Sequence, residues 1–159
     1  MYKLSEDRIV IVKSERDNFS ERDNLSIVIK DEKKSIEIPA NRWSSFMRQF
    51  DEINNAVKQL REKQYVKFFE HIGGGWYISV TTGFWCVSIR RFYKSDGEIR
   101  PSPDGIALRL REWTELQTVG SKMMLDHPAL DAVLPCYFDD DHQNQLGYLQ
   151  CSECSPFAE

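Results

Sequence analysis

The sequence predicts an α+β fold built from two pseudo-repeats, each made of antiparallel strands followed by a helix. In several short runs, apolar residues alternate with polar ones, which is the pattern of a strand with one buried face. Twice, such a run leads into apolar residues spaced three and four apart, which is typical of an amphipathic helix. Apolar positions of the first half also recur at one constant interval in the second half. These pairs are Ile36 and Ile106, Ile38 and Leu108, Trp43 and Trp113, Phe46 and Leu116, and Ile53 and Met123.

The constant interval between the paired positions indicates a divergent tandem repeat. Neither half can cover both faces of its own apolar elements, so the helices are expected to pack together as in an intramolecular dimer. In this register Phe50 lies opposite Gly120, a large residue against a small one. A single elaborated domain with an accidental echo is the alternative. We expect residues 1–64 to form a degenerate first repeat, 65–125 the second repeat, and 126–159 a separate tail.

The first repeat is predicted to begin with short strands and to end in the longest helix of the chain. Its polar residues 14–24 contain the letters SERDN twice and are expected to form a loop. Pro39 suits the first turn of the helix because its missing N–H is harmless there, and Asn41 is expected to cap free N–H groups. The predicted elements are strands at residues 8–13, 25–30 and 35–38 and a helix over 40–61.

The second repeat is predicted to contain a longer hairpin and a second helix that begins near a tryptophan. Gly73–Gly75 is followed by a strand rather than a helix, so these glycines indicate a hairpin turn and not a phosphate-binding loop. The letters SDG at residues 95–97 supply the chemistry of a further turn. Trp113, like Trp43, is expected to be a core anchor. The predicted elements are strands at 65–71, 76–80, 84–93 and 106–110 and a helix from Leu110.

The composition is that of a globular chain, since 159 residues that are 41% hydrophobic can bury a real core. No apolar run approaches the roughly 18 residues that span a bilayer, and the N-terminal letters MYKLSEDR show no cleavable apolar segment. The cytosol or nucleus is therefore expected. The net charge of −4 lies at the C-terminal end, because residues 1–112 sum to +3 and residues 113–159 to −7. A weakly positive body is compatible with nucleic acid but does not by itself argue for it.

Cations and aromatic rings occur together in the second repeat, as a site for single-stranded nucleic acid requires. Such sites hold phosphates in a positive groove and stack exposed bases on rings, at roughly 1–3 kcal/mol per base. Along the strand, Arg90 and Phe92 share one face and Arg91 and Tyr93 the other, and one of the two faces is expected to be core. Structural ion pairs with Asp96, Glu98 or Asp104 are the alternative role for Arg90 and Arg100.

The stretch Ile89–Trp113, with the letters IRRFYKSDGEIRPSPDGIALRLREW, resembles the strand, proline turn, strand and Trp-bearing helix of a known domain. This is the C-terminal domain of the transcriptional coactivator positive cofactor four. The resemblance implies that single-stranded DNA lies over two β-ridges, held by basic and aromatic side chains. It also implies a nuclear role in assisting or regulating transcription by RNA polymerase II, with proteins of the transcription machinery as partners.

The resemblance also indicates which residues contact DNA. Arg90, Tyr93 and Arg100 occupy matching positions, and Phe84 or Trp85 is the nearest match to an aromatic of the family's first hairpin. Neutral residues replace basic ones around that hairpin, and the first repeat lacks the long second hairpin. Binding is therefore expected to be uneven between the two repeats and weaker than in a symmetric dimer. The predicted nucleic-acid-binding residues are Arg90, Tyr93, Arg100, Trp85, Phe84, Arg91 and Lys94.

Three cysteines and a histidine stand out in the acidic tail. Cys136, His142, Cys151 and Cys154 follow the pattern C-x5-H-x8-C-x2-C, and such residues hold one tetrahedral zinc in many proteins. Free thiols and a redox pair are the alternatives. Cys86 lies in a predicted strand and is expected to be a buried, small apolar residue.

No motif in the sequence predicts catalysis. The chain has no G-x-S-x-G, H-E-x-x-H or phosphate-loop pattern, and none of its three histidines has a recognisable catalytic partner. We therefore expect a protein that binds single-stranded DNA, is not an enzyme, requires no cofactor and has no membrane partner. The competing hypothesis is a protein-interaction module that keeps the fold, has lost the charged ridge and uses its tail to engage other proteins.

Overall fold

The computed structural model describes residues 1–16, 23–138 and 145–157 of the chain. It contains two four-stranded antiparallel sheets, each with its strands in sequence order and each followed by helices. This architecture confirms the predicted α+β class and is consistent with a tandem arrangement. None of the helices within the described ranges is long and apolar enough to cross a membrane.

The first half forms one sheet and two helices. Ile27 and Ile29 of a central strand lie opposite Ile38 and Ile36, and all four side chains are buried. The predicted alternation therefore produces a sheet with one apolar face. The elements are β1 (Tyr2–Lys3), β2 (Ile9–Arg16), β3 (Asp23–Lys30), β4 (Ser35–Pro39), α1 (Ala40–Arg48) and α2 (Phe50–Arg61).

The second half repeats the order of strands and then helix. The predicted glycine turn at Gly73–Gly75 joins two paired strands, and all three glycines have positive φ. The last strand contains Pro101 and Pro103, which an edge strand tolerates because it needs fewer N–H donors. The elements are β5 (Lys67–Gly73), β6 (Trp76–Thr81), β7 (Cys86–Ser95), β8 (Glu98–Arg109) and α3 (Leu110–Asp126), then 3-10 helices at Pro128–Leu130 and Cys136–Phe138 and α4 (Gln145–Gln150).

The loop predicted over residues 14–24 is wrong at both of its ends. β2 continues through Ser14 to Arg16 and pairs with Asp23–Leu25 of β3. Backbone hydrogen bonds form this ladder whatever the polarity of the side chains, so a polar sequence does not exclude a strand. The middle of the predicted loop, residues 17–22, lies outside the described residues.

The helix predicted over 40–61 is interrupted at Gln49, whose backbone N–H donates to Phe46 O at 3.0 Å. This tighter turn divides the helix, so the longest helix is instead α3, with 17 residues. No side chain caps α1, whose N-cap residue is Pro39, so the capping role expected for Asn41 is also wrong.

The helices of the two halves pack together around aromatic rings. Phe50 meets the Trp113 ring edge-on, with ring centres 5.0 Å apart. Trp113 Nε1 donates to Asn54 Oδ1 at 2.9 Å, and this hydrogen bond joins α3 to α2. A Cβ atom at Gly120 would lie 3.8 Å from Phe50, so the predicted match of large against small is present. Both members of every apolar pair in the repeat are buried.

The two tryptophans differ in their hydrogen bonds. Trp43 Nε1 is buried and has no hydrogen-bond partner within the described part of the chain. Trp113 is satisfied by Asn54, whereas the residue in register with Asn54 in the second half is Met124, which has no comparable acceptor. The two halves therefore differ in the polar contacts of their equivalent core tryptophans.

A buried carboxylate joins the N-terminal segment to the second half. Glu112, 1% exposed, accepts hydrogen bonds from Ser5 Oγ at 2.9 Å and from Arg8 Nη1 at 3.2 Å. Arg8 also donates to Ala107 O and pairs with Asp31 at 3.3 Å. A buried charge needs such partners, so this network fixes the loop between β1 and β2 against the start of α3.

Candidate nucleic-acid interface

The second sheet presents one face to the helices and the other away from them. Ile78, Val80, Val87, Ile89, Ile106 and Leu108 are fully buried on the inner side. Because side chains alternate along a strand, the intervening residues lie on the opposite side, which we call the outer face. The outer face includes Phe69, Tyr77, Ser79, Ser88, Arg90, Phe92 and Ala107.

Aromatic rings form a cluster on the outer face. Phe69 stacks on Tyr77 with ring centres 4.4 Å apart and planes 6° apart. Phe92 meets both rings edge-on, at 5.2 and 5.1 Å. Phe69 remains 43% exposed, so the cluster is open to solvent as well as packed internally. Phe69 and Tyr77 are not among the residues predicted from the sequence, although the alternation of β5 and β6 places them opposite the core side.

A groove of about 350 Å³ adjoins this cluster. Phe84, in the loop between β6 and β7, stands at the groove and is 66% exposed, and the neighbouring Trp85 is 57% exposed. Cys86 is half-buried in the groove wall rather than in the core, and burial raises the pKa of its thiol. The groove is lined by Ser79, Thr81, Phe84, Cys86, Ser88, Arg90, Phe92, Pro101 and Ala107.

Arg90 supplies the positive charge of the groove. Its Nη1 donates to Ser102 O at 2.9 Å, which holds the guanidinium against the β8 strand. Gly105 lies opposite Arg90, and a Cβ atom there would come within 2.8 Å of Ile89 O and 2.9 Å of Arg90 Cβ. Only glycine permits this close approach of β8 to the arginine.

The hairpin between β7 and β8 extends beyond the helix-covered core. Asp96 and Gly97 have φ of 52° and 78°, as a two-residue turn that matches the twist of a hairpin requires. Tyr93 and Arg100 are directly opposite each other, and Tyr93 is 46% exposed. Arg100 pairs with Glu98 at 3.4 Å, a solvent-exposed contact of little strength.

The predicted contact residues therefore fall into two groups. Arg90 and Lys94 share the side of Phe92, whereas Arg91, Tyr93 and Arg100 lie on the opposite side of the hairpin. The expectation that one of these sides is core is wrong here, because Arg91 and Tyr93 are both exposed. The ion-pair alternative predicted for Arg100 is present, since Arg100 lies 3.4 Å from Glu98. Arg91 forms a further ion pair, 3.8 Å from Asp104.

The outer side of the first sheet has a different character. Its described residues carry no aromatic ring and include the aliphatic Ile11 and Val28. Lys13 pairs with Glu15 at 2.8 Å and with Glu37 at 3.4 Å. A surface for single-stranded nucleic acid needs exposed rings, so this contrast favours the second sheet as the candidate interface.

Three tail cysteines come together near α1 and β5. Cys136 Sγ lies 3.8 Å from Cys151 Sγ and 3.2 Å from Cys154 Sγ. In a tetrahedral zinc site with Zn–S bonds of about 2.3 Å, sulfur atoms lie about 3.8 Å apart, so the cluster has the size of a metal site. The predicted fourth ligand, His142, lies outside the described residues.

Backbone N–H groups point at one of these thiols. Burial would raise the pKa of Cys151, but N–H donors of Cys154 and Glu153 help to hold it below its ordinary value. Burial raises the pKa of Cys136 and Cys154. The three thiols could together bind a metal such as zinc.

A protein-family model matches part of the second half of the chain. Residues 79–119 match the family described as Transcriptional Coactivator p15 (PC4) and form a domain of that family, about a quarter of the chain. The match runs from β6 into α3 and contains all seven predicted nucleic-acid-binding residues. No curated protein and no solved structure matches the chain. The family is a non-enzymatic DNA-binding family, and the match over this part of the chain implies a single-stranded-DNA-binding domain of the transcriptional-coactivator kind.

Proposed function

We propose, from the PC4 family domain at residues 79–119, that this chain binds single-stranded or melted DNA. Through that binding it assists or regulates transcription by RNA polymerase II in the nucleus, together with proteins of the transcription machinery. Residues 65–125 form the binding unit, and residues 1–64 form the degenerate half that completes the shared core. No enzymatic activity is part of this proposal.

The observation that carries the proposal is the outer face, where open aromatic rings adjoin a cationic groove. Phe69 and Phe84 expose ring surface, and Arg90 lines the groove together with Phe84 and Phe92. Bases in a single strand can stack on such rings, whereas bases in a duplex are already stacked on each other. This arrangement therefore favours single strands over duplex.

The hairpin supplies a second contact surface beside the groove. Tyr93 and Arg100 stand opposite each other on its solvent-exposed side, so a ring and a cation are again adjacent. A DNA strand that leaves the groove would reach this pair by crossing from the outer face to the opposite side of the hairpin. Few cations are involved on either surface, which agrees with binding that is weaker than in a symmetric dimer.

We expect single-stranded DNA to bind more tightly than duplex of the same length, and its affinity to fall as salt rises. With three or four phosphates neutralised, the logarithm of the association constant should fall with the logarithm of salt concentration at a slope of about −2 to −3. Fluorescence anisotropy of a labelled oligonucleotide measures both quantities. Equal affinity for duplex, or no salt dependence, would contradict the proposal.

A protein-interaction module is the second candidate function. It is favoured by the acidic partners of two hairpin arginines, Asp104 beside Arg91 and Glu98 beside Arg100, which reduce the net positive charge of the ridge. The same titration separates the two functions, because an interaction module would bind neither DNA form at low salt.

We also propose that Cys136, Cys151 and Cys154 bind one zinc ion, with His142 as the fourth ligand. Of the described residues, only these three thiols form a group close enough to share a metal. We expect the native mass to show one zinc per chain, which a chelator removes. Alkylation of the thiols should be slower before chelation than after it. An unchanged mass after chelation would exclude zinc and leave free thiols or a redox pair.

A further inference from the structure

The described part of the tail is seated on α1 and on the turn between β5 and β6. The Glu153 carboxylate receives two hydrogen bonds from Arg42, at 2.5 Å from Nε and 3.0 Å from Nη2. Glu153 O accepts the backbone N–H of Gly74 at 2.9 Å. The guanidinium of Arg48 lies 4.5 Å from the centre of the Phe138 ring. Two arginines of α1 are thus engaged by tail residues.

The glycine turn is shaped to receive this contact. A Cβ atom at Gly74 would lie 2.4 Å from Arg42 Nη2, and one at Gly73 would lie 2.2 Å from Glu153 Oε1. Neither position has room for a side chain while the ion pair is present. The glycines therefore do more than turn the chain, since they clear the space in which Arg42 and Glu153 meet.

A comparison of the two halves shows what Glu153 replaces. Glu112 is in register with Arg42 in the repeat, and it pairs with Arg8 from the loop between β1 and β2. The corresponding turn of the second half has only glycines at its centre and offers no charged side chain to Arg42. Glu153 of the tail supplies the missing partner. In the first pair the helix carries the carboxylate, Glu112, whereas in the second pair the helix carries the guanidinium, Arg42.

The three thiols connect this segment to the 3-10 helix that precedes it. Cys151 and Cys154 flank Glu153, and Cys136 approaches both from the preceding 3-10 helix. Among described residues after Asp126, only Leu130, Pro135 and Cys154 are buried, so apolar packing contributes little to holding the tail. His71 lines the adjacent cavity but does not belong to the group of ligand atoms close enough to share a metal, and its Nε2 accepts the Gly75 N–H at 3.0 Å.

We propose that metal bound by Cys136, Cys151 and Cys154 staples the tail onto Arg42, Arg48 and the glycine turn. The described part of the tail thereby becomes a metal-dependent cover of α1 that brings the Glu153 carboxylate to Arg42. This inference rests on the zinc proposal. A metal that needs several ligands binds only when the segment that supplies them is ordered, so the free energy of metal binding stabilises the ordered tail. It is independent of DNA binding.

The test is hydrogen exchange of residues 145–157 in the full chain, read by mass spectrometry, with native mass recorded in parallel. In the zinc-loaded chain we expect these amides to exchange at least about tenfold more slowly than after chelation. Arg42→Ala should keep one zinc per chain but lose part of the protection. Arg61→Ala, which removes an exposed arginine of α2, should match the unmodified chain.

Two different results would overturn the proposal that metal holds the tail on α1. If zinc binds but chelation leaves the exchange of residues 145–157 unchanged, the metal does not hold the tail and only the zinc proposal survives. If no zinc is bound, both proposals fail together. Equal protection in Arg42→Ala and Arg61→Ala would remove Arg42 from the docking surface and overturn the proposed seat.

Discussion

Replacing Trp113 by alanine is expected to lower the free energy of unfolding by about 3–5 kcal/mol, the usual cost of deleting a buried Trp or Phe side chain. The Trp113 ring is buried between Phe46 and Phe50, with ring centres 5.8 and 5.0 Å away. The substitution also leaves Asn54 Oδ1 without its donor at the contact between α2 and α3. The two halves share this core, so both should lose stability together.

Urea unfolding followed by circular dichroism measures this change. Trp85→Ala is the matched control, because Trp85 is exposed and an exposed substitution usually changes stability by less than about 0.5 kcal/mol. We expect one cooperative transition, shifted only in the Trp113 variant. Two separate transitions, or equal loss in the two variants, would mean that the helices do not form one core.

Removing Arg90 and Arg100 together is expected to weaken binding of single-stranded DNA by about tenfold or more, equivalent to roughly 1.4 kcal/mol. Arg90 provides the charge of the groove and Arg100 is one of the cations of the hairpin, so the double alanine variant removes a proposed phosphate contact from each surface. The slope of affinity against salt should become shallower as well, because fewer counterions are released.

The matched control is the double variant Lys58→Ala with Arg61→Ala. It makes the same change in net charge on exposed residues of α2, in the helix layer on the other side of the sheet. Anisotropy titrations should show near-normal affinity for this control. If both double variants lose the same affinity, the effect is one of net charge and the hairpin is not the binding surface. Thermal unfolding of both variants shows whether Arg90 is also needed to hold β8.

Much of the architecture follows from local pattern. The alternation around Ile27 and Ile106 and the constant interval between paired apolar positions predict two strand-to-helix units, and the same residues are buried together. Backbone geometry determines which side chains share a face of a strand or helix, so the spacing of apolar residues predicts which of them are buried together. The turn at Asp96 and Gly97 is also predictable from the sequence, because few residue types accept positive φ.

Other features depend on contacts between distant segments. The interruption at Gln49 accompanies the packing of Phe50 against Trp113, which lies in the other half of the chain, and nothing in the apolar stripe marks it. The composition of residues 14–24 indicates a loop, yet a neighbouring strand extends the ladder into it. In both cases a partner elsewhere in the chain outweighs the local preference.

By itself, the amino-acid sequence determined the fold class, the paired helices and the group of residues from which the candidate interface is drawn. Only the tertiary structure decided how that group is divided, with Arg90 beside Tyr77 and with Tyr93 and Arg100 on the far side of the hairpin. It also brought Cys136 to Cys151 and Glu153 to Arg42. The physical reason is that periodicity specifies the face on which a side chain lies, whereas packing between elements specifies which faces meet.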